Sequence, residues 1–187
     1  MAFKPHVLGI DDGPFEKGQA GPVPIVAVML ECPHIFEAMA VSHFEVDGED
    51  ASEFLADWIS GLRCHPTLQG VVLDGVTIAG LGMVDIEWLA ARLDRPVLVA
   101  NRRNPALSRL HAALEAAGLE ARIPILERTP AARQSVDGLY FSWAGTSQRR
   151  AEMLLRASIG KSQLPEPLRI AHIVARALAT GESRGRA

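Results

Sequence analysis

Two aspartates stand where chemistry could begin. Val7-Leu-Gly-Ile10 is a short apolar run that ends on Asp11-Asp12, and Val71-Val-Leu73 is a second that ends on Asp74-Gly75. Apolar runs of this length, bounded by turn residues, read as buried strands. If the two strands are neighbours in a sheet, which a right-handed crossover between them allows, their terminal carboxylates converge at one edge. Hard oxygen donors held close together are what Mg²⁺ or Mn²⁺ requires, and the ion offsets their mutual repulsion. Strand-terminal Asp-Gly pairs can also simply make turns. The repetition of apolar run and aspartate, doubled at its first occurrence, favours a site. Asp11 and Asp74 are therefore the first candidates for catalysis and metal binding, with Asp12 beside them.

Other acids could complete the set. Asp47, Asp50 and Glu53 lie just ahead of an amphipathic segment, and Asp85 opens a later one. Acids at helix starts are also favourable as caps and through the helix dipole, so each has a purely structural explanation. Asp50 is the best placed of them as a third ligand. The loop Asp74-Gly-Val-Thr-Ile-Ala-Gly-Leu-Gly-Met83 could bring backbone N–H groups to a phosphate. It fits neither GxxxxGK[ST] nor a well-placed GxGxxG, and a tight connection explains its glycines equally well. Candidate phosphate partners are Arg102 and Arg103 after a strand, Arg149 and Arg150 at a helix start, and Arg169 with His172 three residues on. Arg102 and Arg103 rank first because their strand end should share the edge with Asp74. His172 reads more readily as an ordinary helix residue touching the core. A GxSxG elbow is absent, which argues against a serine hydrolase, and the single Tyr and scattered Trp residues make no base-stacking stripe.

The elements that must position these residues follow from periodicity. Val7–Ile10 with a turn at Asp11–Pro14, Ile25–Leu30, and His34–Val46 ending in Asp47-Gly48 predict an antiparallel meander of three strands. Phe54, Leu55, Trp58, Ile59 and Leu62 recur at helical spacing behind the Asp50–Glu53 caps. Then come the strand Val71–Leu73, a helix from Val84 to Leu93 and the strand Pro96–Ala100. A helix from Pro105 to Ala117, strands near Ile123–Ile125 and Leu139–Trp143, and helices Ser147–Ser158 and Pro167–Ala179 complete the chain. A meander followed by alternating strands and helices predicts an α/β fold with a mixed sheet and helices on both faces. At 187 residues the chain suits one domain, 1–187, with 181–187 a frayed tail.

Composition narrows the setting. With 48% apolar and 22% charged residues, and no apolar stretch approaching the ~20 residues of a membrane span, the chain reads as soluble. No secretory segment precedes the first acids, so the cytoplasm is expected and no membrane partner. Cys32 and Cys64 form no CxxC pair and have no histidine at zinc-finger spacing, so they read as reduced, partly buried thiols. Residues 1–100 balance at −10 and residues 101–187 at +7. That segregation suits acids in a metal site facing arginines on a polyanion, although folding can also interleave the two halves.

Lys4-Pro-His-Val-Leu-Gly-Ile-Asp-Asp-Gly-Pro-Phe15 resembles the prokaryotic family called domain of unknown function ninety-nine. So do Val46-Asp-Gly-Glu-Asp50-Ala-Ser, Leu73-Asp-Gly-Val-Thr-Ile-Ala-Gly80, Met83-Val-Asp85-Ile, Pro165-Glu-Pro-Leu-Arg169-Ile-Ala-His172 and Gly181-Glu-Ser-Arg-Gly. The likeness runs from Lys4 to Gly185. That family is similar to endonuclease V, with an archaeal branch associated with cleavage of deoxyuridine-containing DNA. The resemblance implies a ribonuclease H-like fold and Mg²⁺-dependent phosphodiester hydrolysis on damaged, deaminated nucleic acid, above all DNA. It sets Asp11 and Asp74 in the places of two catalytic acids of endonuclease V and leaves Asp50 or Glu53 for the third. The Tyr-Pro-Gly wedge of endonuclease V has no clear counterpart here. Two other readings stand beside this one. Leu8-Gly-Ile-Asp-x-Gly13 also resembles the first phosphate loop of actin-type and sugar-kinase phosphotransferases, though no second such loop follows. A non-catalytic regulatory protein could keep the fold and bind nucleic acid or metal, its acids serving as turns and caps.

Overall fold

The computed structural model describes residues 3–16, 18–135 and 137–183; of the expected frayed end, residues 184–187 lie outside these. The chain opens with β1 (His6–Asp12), β2 (Pro22–Glu31) and β3 (Ile35–Glu45), each antiparallel to the one before. The meander is as expected, with one correction. Asp11 and Asp12 are not a turn but the end of β1, paired with Val26 and Ile25. Helix α1 (Ala51–Gly61) leads to β4 (Gly70–Leu73), which lies parallel to β1. The Gly-rich connection then folds as a small hairpin, β5 (Thr77–Ile78) with β6 (Gly82–Met83).

Helix α2 (Ile86–Leu93) follows, and β7 (Val97–Asn101) joins the sheet parallel to β4. Next come α3 (Leu107–Ala116), α4 (Ile123–Arg128), β8 (Arg133–Gln134) and β9 (Tyr140–Ala144), with β9 antiparallel to β7. Helices α5 (Gln148–Ser158) and α6 (Glu166–Thr180) close the chain. Among the described residues the sheet has seven strands in the order β3-β2-β1-β4-β7-β9-β8. The strand expected near Ile123–Ile125 is instead the first turn of α4. Pro124 sits there without cost, because the first helical N–H groups have no partner to lose, and Leu126 is the buried residue that anchors the turn.

Alternation along the strands sorts the two faces. Leu8, Ile10, Val71, Leu73, Val97 and Val99 pack on one side with Leu55 and Ile59 of α1 and Leu89 and Leu93 of α2. Val7, Val72, Leu98 and Ala100 pack on the other with Leu154 of α5 and Leu168 and Ala171 of α6. Gly9 lies on this second face, and a Cβ there would run into the backbone of Pro167 and Leu168. Glycine therefore lets α6 rest directly on the backbone of β1. From that contact, four helical residues advance ~6 Å and two strand residues ~6.6 Å. His172 thus comes level with Asp11. Among the described residues no helix is long and apolar enough to cross a membrane.

Candidate active site

Because β1, β4 and β7 are adjacent and parallel, their ends open on one edge of the sheet, with Ile10 opposite Leu73 and Leu73 opposite Val99. A cavity of about 210 Å³ lies there, lined by Asp11, Asp74, Asn101, Arg102, Leu164, Leu168 and His172. Asp11 is only 6% exposed, and both of its oxygens have partners. The Asp12 N–H donates to Oδ1 at 2.9 Å, and His172 Nδ1 lies 2.7 Å from Oδ2. Asp74 sits just past β4, open to solvent at the mouth, with its carbonyl accepting from Asn101 Nδ2. Asp12 points the other way, as its neighbouring position on a strand requires. Its Oδ2 accepts from the Ala79 N–H at 2.8 Å and so tethers the β5–β6 hairpin.

The charges in this cluster act on one another. Burial raises the Asp11 carboxyl above its ordinary range, with negative Asp74 adding to the effect, and the hydrogen bond from His172 only partly offsets this. Asp12 is pushed up to about 6, first by burial and then by Asp11. Crowding by protein atoms also raises Asp74, against the pull of His172 and Arg102. His172 is raised by its bond to Asp11 and by the negative field of Asp11 and Asp74. Asp11, Asp12, Asp74 and His172 therefore all hold a proton more tightly than the free side chains do. Such a cluster suits a cationic or proton-transferring role.

The remaining candidates are more dispersed. Asp50, Glu53 and Asp85 line a different cavity of about 400 Å³, together with Arg122 and Arg128. Asp50 caps α1 with a left-handed backbone, φ 54°. It is kept from the Asp11 cavity because α1 packs on the face of the sheet opposite α6, whereas Asp11 turns toward α6. The expected triad of Asp11, Asp74 and Asp50 is thus not assembled. Asp85 caps α2 through the Trp88 N–H and pairs with Arg128 at 2.9 Å. Asp47 accepts from the Leu81 N–H at 2.7 Å, a second tether on the hairpin. Arg102 lines the cavity, whereas Arg103 is exposed beyond it. Arg149 is exposed at the start of α5, and Arg150 lies over the Phe3 ring. Arg169 is engaged by Glu166 through two hydrogen bonds, 2.9 and 2.7 Å.

Sequence reasoning missed Asn101, Leu164 and Leu168 as lining residues. Asn101 had a usable signal, a polar residue closing an apolar strand directly before Arg102. Whether a divalent ion suits the site depends on its donors. Two carboxylates share the cavity, and the charge of Asp74 raises the proton affinity of Asp11. Among the described residues, however, no three His, Cys, Asp or Glu side chains are close enough to form a complete cage. One or two carboxylates can serve an Mg²⁺ ion whose other ligands are water and substrate phosphate, so this donor set is compatible with one. Both cysteines are free thiols away from the cavity, raised by burial.

Comparison with known proteins agrees with the topology. A UPF0215 protein of Methanothermobacter thermautotrophicus is 35% identical, over 97% of this chain and 91% of its own. A crystal structure of a protein of unknown function from Archaeoglobus fulgidus superposes with a TM-score of 0.85 at 29% identity, covering 94% of this chain and 98% of the other. Endonuclease V of Ciona intestinalis, solved with a 24mer DNA containing an inosine, superposes with a TM-score of 0.59 at 14% identity, covering 90% and 82%. The fold is thus that of the ribonuclease H-like endonuclease V proteins. The profile of the Endonuclease dU family matches residues 4–179, and the chain belongs to that family.

Proposed function

We propose that the protein is a divalent-metal-dependent endonuclease that hydrolyses phosphodiester bonds in deaminated nucleic acid, with deoxyuridine- or inosine-containing DNA as the first substrates to consider. The observation that carries this reading is the cavity at the β1–β4–β7 edge, where Asp11 and Asp74 face Arg102 and His172. In this reading Asp11 and Asp74 hold Mg²⁺ or Mn²⁺. When bound, such an ion supplies Lewis-acid polarisation of the phosphate and neutralises its developing charge. Arg102 attracts and orients the backbone phosphate at the cavity mouth. His172, whose proton affinity is raised by its contact with Asp11, keeps that carboxylate in one orientation and can give a proton to a departing oxygen.

Beside the cavity lies a slot of about 170 Å³ that begins at Gly75, shares Asn101, and is walled by Val76, Val99, Leu107 and Leu110. A mostly apolar slot next to the scissile position suits a base turned out of its stack, with the strand-end polar groups reading its edge. The protein acts in this reading as one domain.

A second reading is a non-catalytic nucleic-acid- or metal-binding protein. It is favoured by the two, rather than three, carboxylates among the residues that line the cavity. Incubation with labelled single- and double-stranded oligonucleotides carrying deoxyuridine, deoxyinosine or no lesion, with Mg²⁺ or Mn²⁺, separates the two. Nicking that needs both lesion and metal supports the nuclease. Binding without nicking of any substrate supports the second reading.

A further inference from the structure

The slot beside the Asp11 cavity has one polar side chain that the fold itself does not use. Ser142 on β9 stands opposite Val99 on β7, so the two side chains share a face of the sheet. Both line the slot, and Ser142 is only 4% exposed. The other buried serines are hydrogen-bonded. Ser52 accepts from the Asp85 N–H, and Ser158 donates to the Leu154 carbonyl and accepts from Cys32. The Ser142 hydroxyl meets no hydrogen-bonding group among the described residues. Burying a hydroxyl without a partner is unfavourable, and one in a cavity wall is free to bond to whatever fills the cavity.

The position of Ser142 says which part of an occupant it would meet. Asn101 closes β7 and is shared by the slot and the Asp11 cavity, so it marks the rim between them. Ser142 lies two residues further in, a step of ~6.6 Å along a strand. One six-membered ring, an exocyclic oxygen at its far end and a hydrogen bond to that oxygen cover such a step. Val99, Leu107 and Leu110 offer the ring only apolar surface. The far end of a base is also where deamination exchanges an amino group for a keto oxygen. We infer that Ser142 is a base-reading residue, whose hydroxyl donates to the exocyclic oxygen of the base held in the slot. This rests on the reading of the slot as a base pocket and adds the atom that is read. A ring without that oxygen leaves the hydroxyl buried and unpaired, so it binds less well.

The test is binding of single-stranded oligonucleotides to the full chain without added metal, so that neither strand separation nor cleavage enters. One strand carries deoxyuridine. The other carries deoxyzebularine, whose pyrimidinone ring lacks the exocyclic oxygen and the adjoining ring proton. Ser142→Ala should weaken binding of the deoxyuridine strand by about fivefold to tenfold and leave the deoxyzebularine strand unchanged. It should melt no lower than wild type, because the hydroxyl has no protein partner to lose. Ser142→Val, which adds bulk at the slot floor, should weaken both strands yet bind a strand with a tetrahydrofuran abasic site as wild type does. Equal effects of Ser142→Ala on the two strands, no effect on either, or a lower melting temperature would overturn the inference. Failure to nick any substrate, beside an intact loss of deoxyuridine binding in Ser142→Ala, would count against the nuclease and not against the role of Ser142.

Discussion

At Asp11 a carboxylate is buried beside a histidine and across from a second aspartate, and most of the site's behaviour follows from that crowding. Asp11, Asp12, Asp74 and His172 all bind protons more tightly in the folded chain than in the unfolded one. For every such group the stability contribution is largest at low pH and declines as pH rises. For Asp12 the decline runs from 3.8 to about 6, and for His172 it lies above 6.5. Glu166 works in the opposite sense. Burial would raise it, but Arg169 and the backbone N–H groups of Lys161 and Ser162 together outweigh burial and hold it down, so its contribution is lost only as pH falls below 4.5. Metal-free protein should therefore melt higher at about pH 5.5 than at about pH 8, by calorimetry, and Asp12→Asn should flatten the lower part of that slope. At about pH 8, Mn²⁺ should restore stability to the wild type and not to Asp11→Asn. His172→Gln should lower the nicking rate by roughly 10²–10⁴-fold with little change in substrate affinity, since it removes the proton while keeping a polar side chain on Asp11.

At the scale of elements, the placement of α6 on β1 decides whether His172 and Asp11 meet. Gly9 is the contact point, and Gly9→Ala must push the helix off the strand. Overpacking of this kind costs about 1–3 kcal/mol. Nicking should fall more than that loss of stability explains, because His172 moves with the helix; melting and single-turnover rates measured on the same variant separate the two effects. The hairpin β5–β6 is the other positioned element, tethered by Asp12 to Ala79 and by Asp47 to Leu81. Much of this architecture was legible in the sequence. Apolar runs ending in aspartate located β1 and β4, and helical spacing located α1, α2, α5 and α6. The pairing of His172 with Asp11 was not legible, because it depends on a backbone contact between residues far apart in the chain. Nor was the absence of Asp50 from the cavity, since linear proximity to the meander does not reveal which face of the sheet α1 will cover. Ile123–Ile125 misled because a three-residue apolar alternation fits a strand and a helix turn equally well.

At the scale of the molecule, the opposed charges of the two halves of the chain are not merely averaged by folding. Acids from the first half, Asp11 and Asp74, meet Arg102 and His172 from the second in one cavity. A phosphate approaching Arg102 exchanges counterions for that side chain, so Arg102→Ala should weaken nucleic-acid binding and lower the salt dependence of log K by about 1. Arg169→Ala should change the salt dependence much less, because Glu166 already neutralises it; titrations at several salt concentrations distinguish the pair. The central claim, that Asp11 and Asp74 form a metal-dependent phosphodiesterase site, is tested most directly at Asp74. It is open to solvent at the cavity mouth, so its substitution should leave the fold intact. The measurement is the single-turnover rate of nicking of a deoxyuridine-containing duplex in Mn²⁺ by wild type and Asp74→Asn. A loss of at least about 10²-fold, with unchanged circular dichroism, is expected. Equal rates in the two proteins would contradict the account.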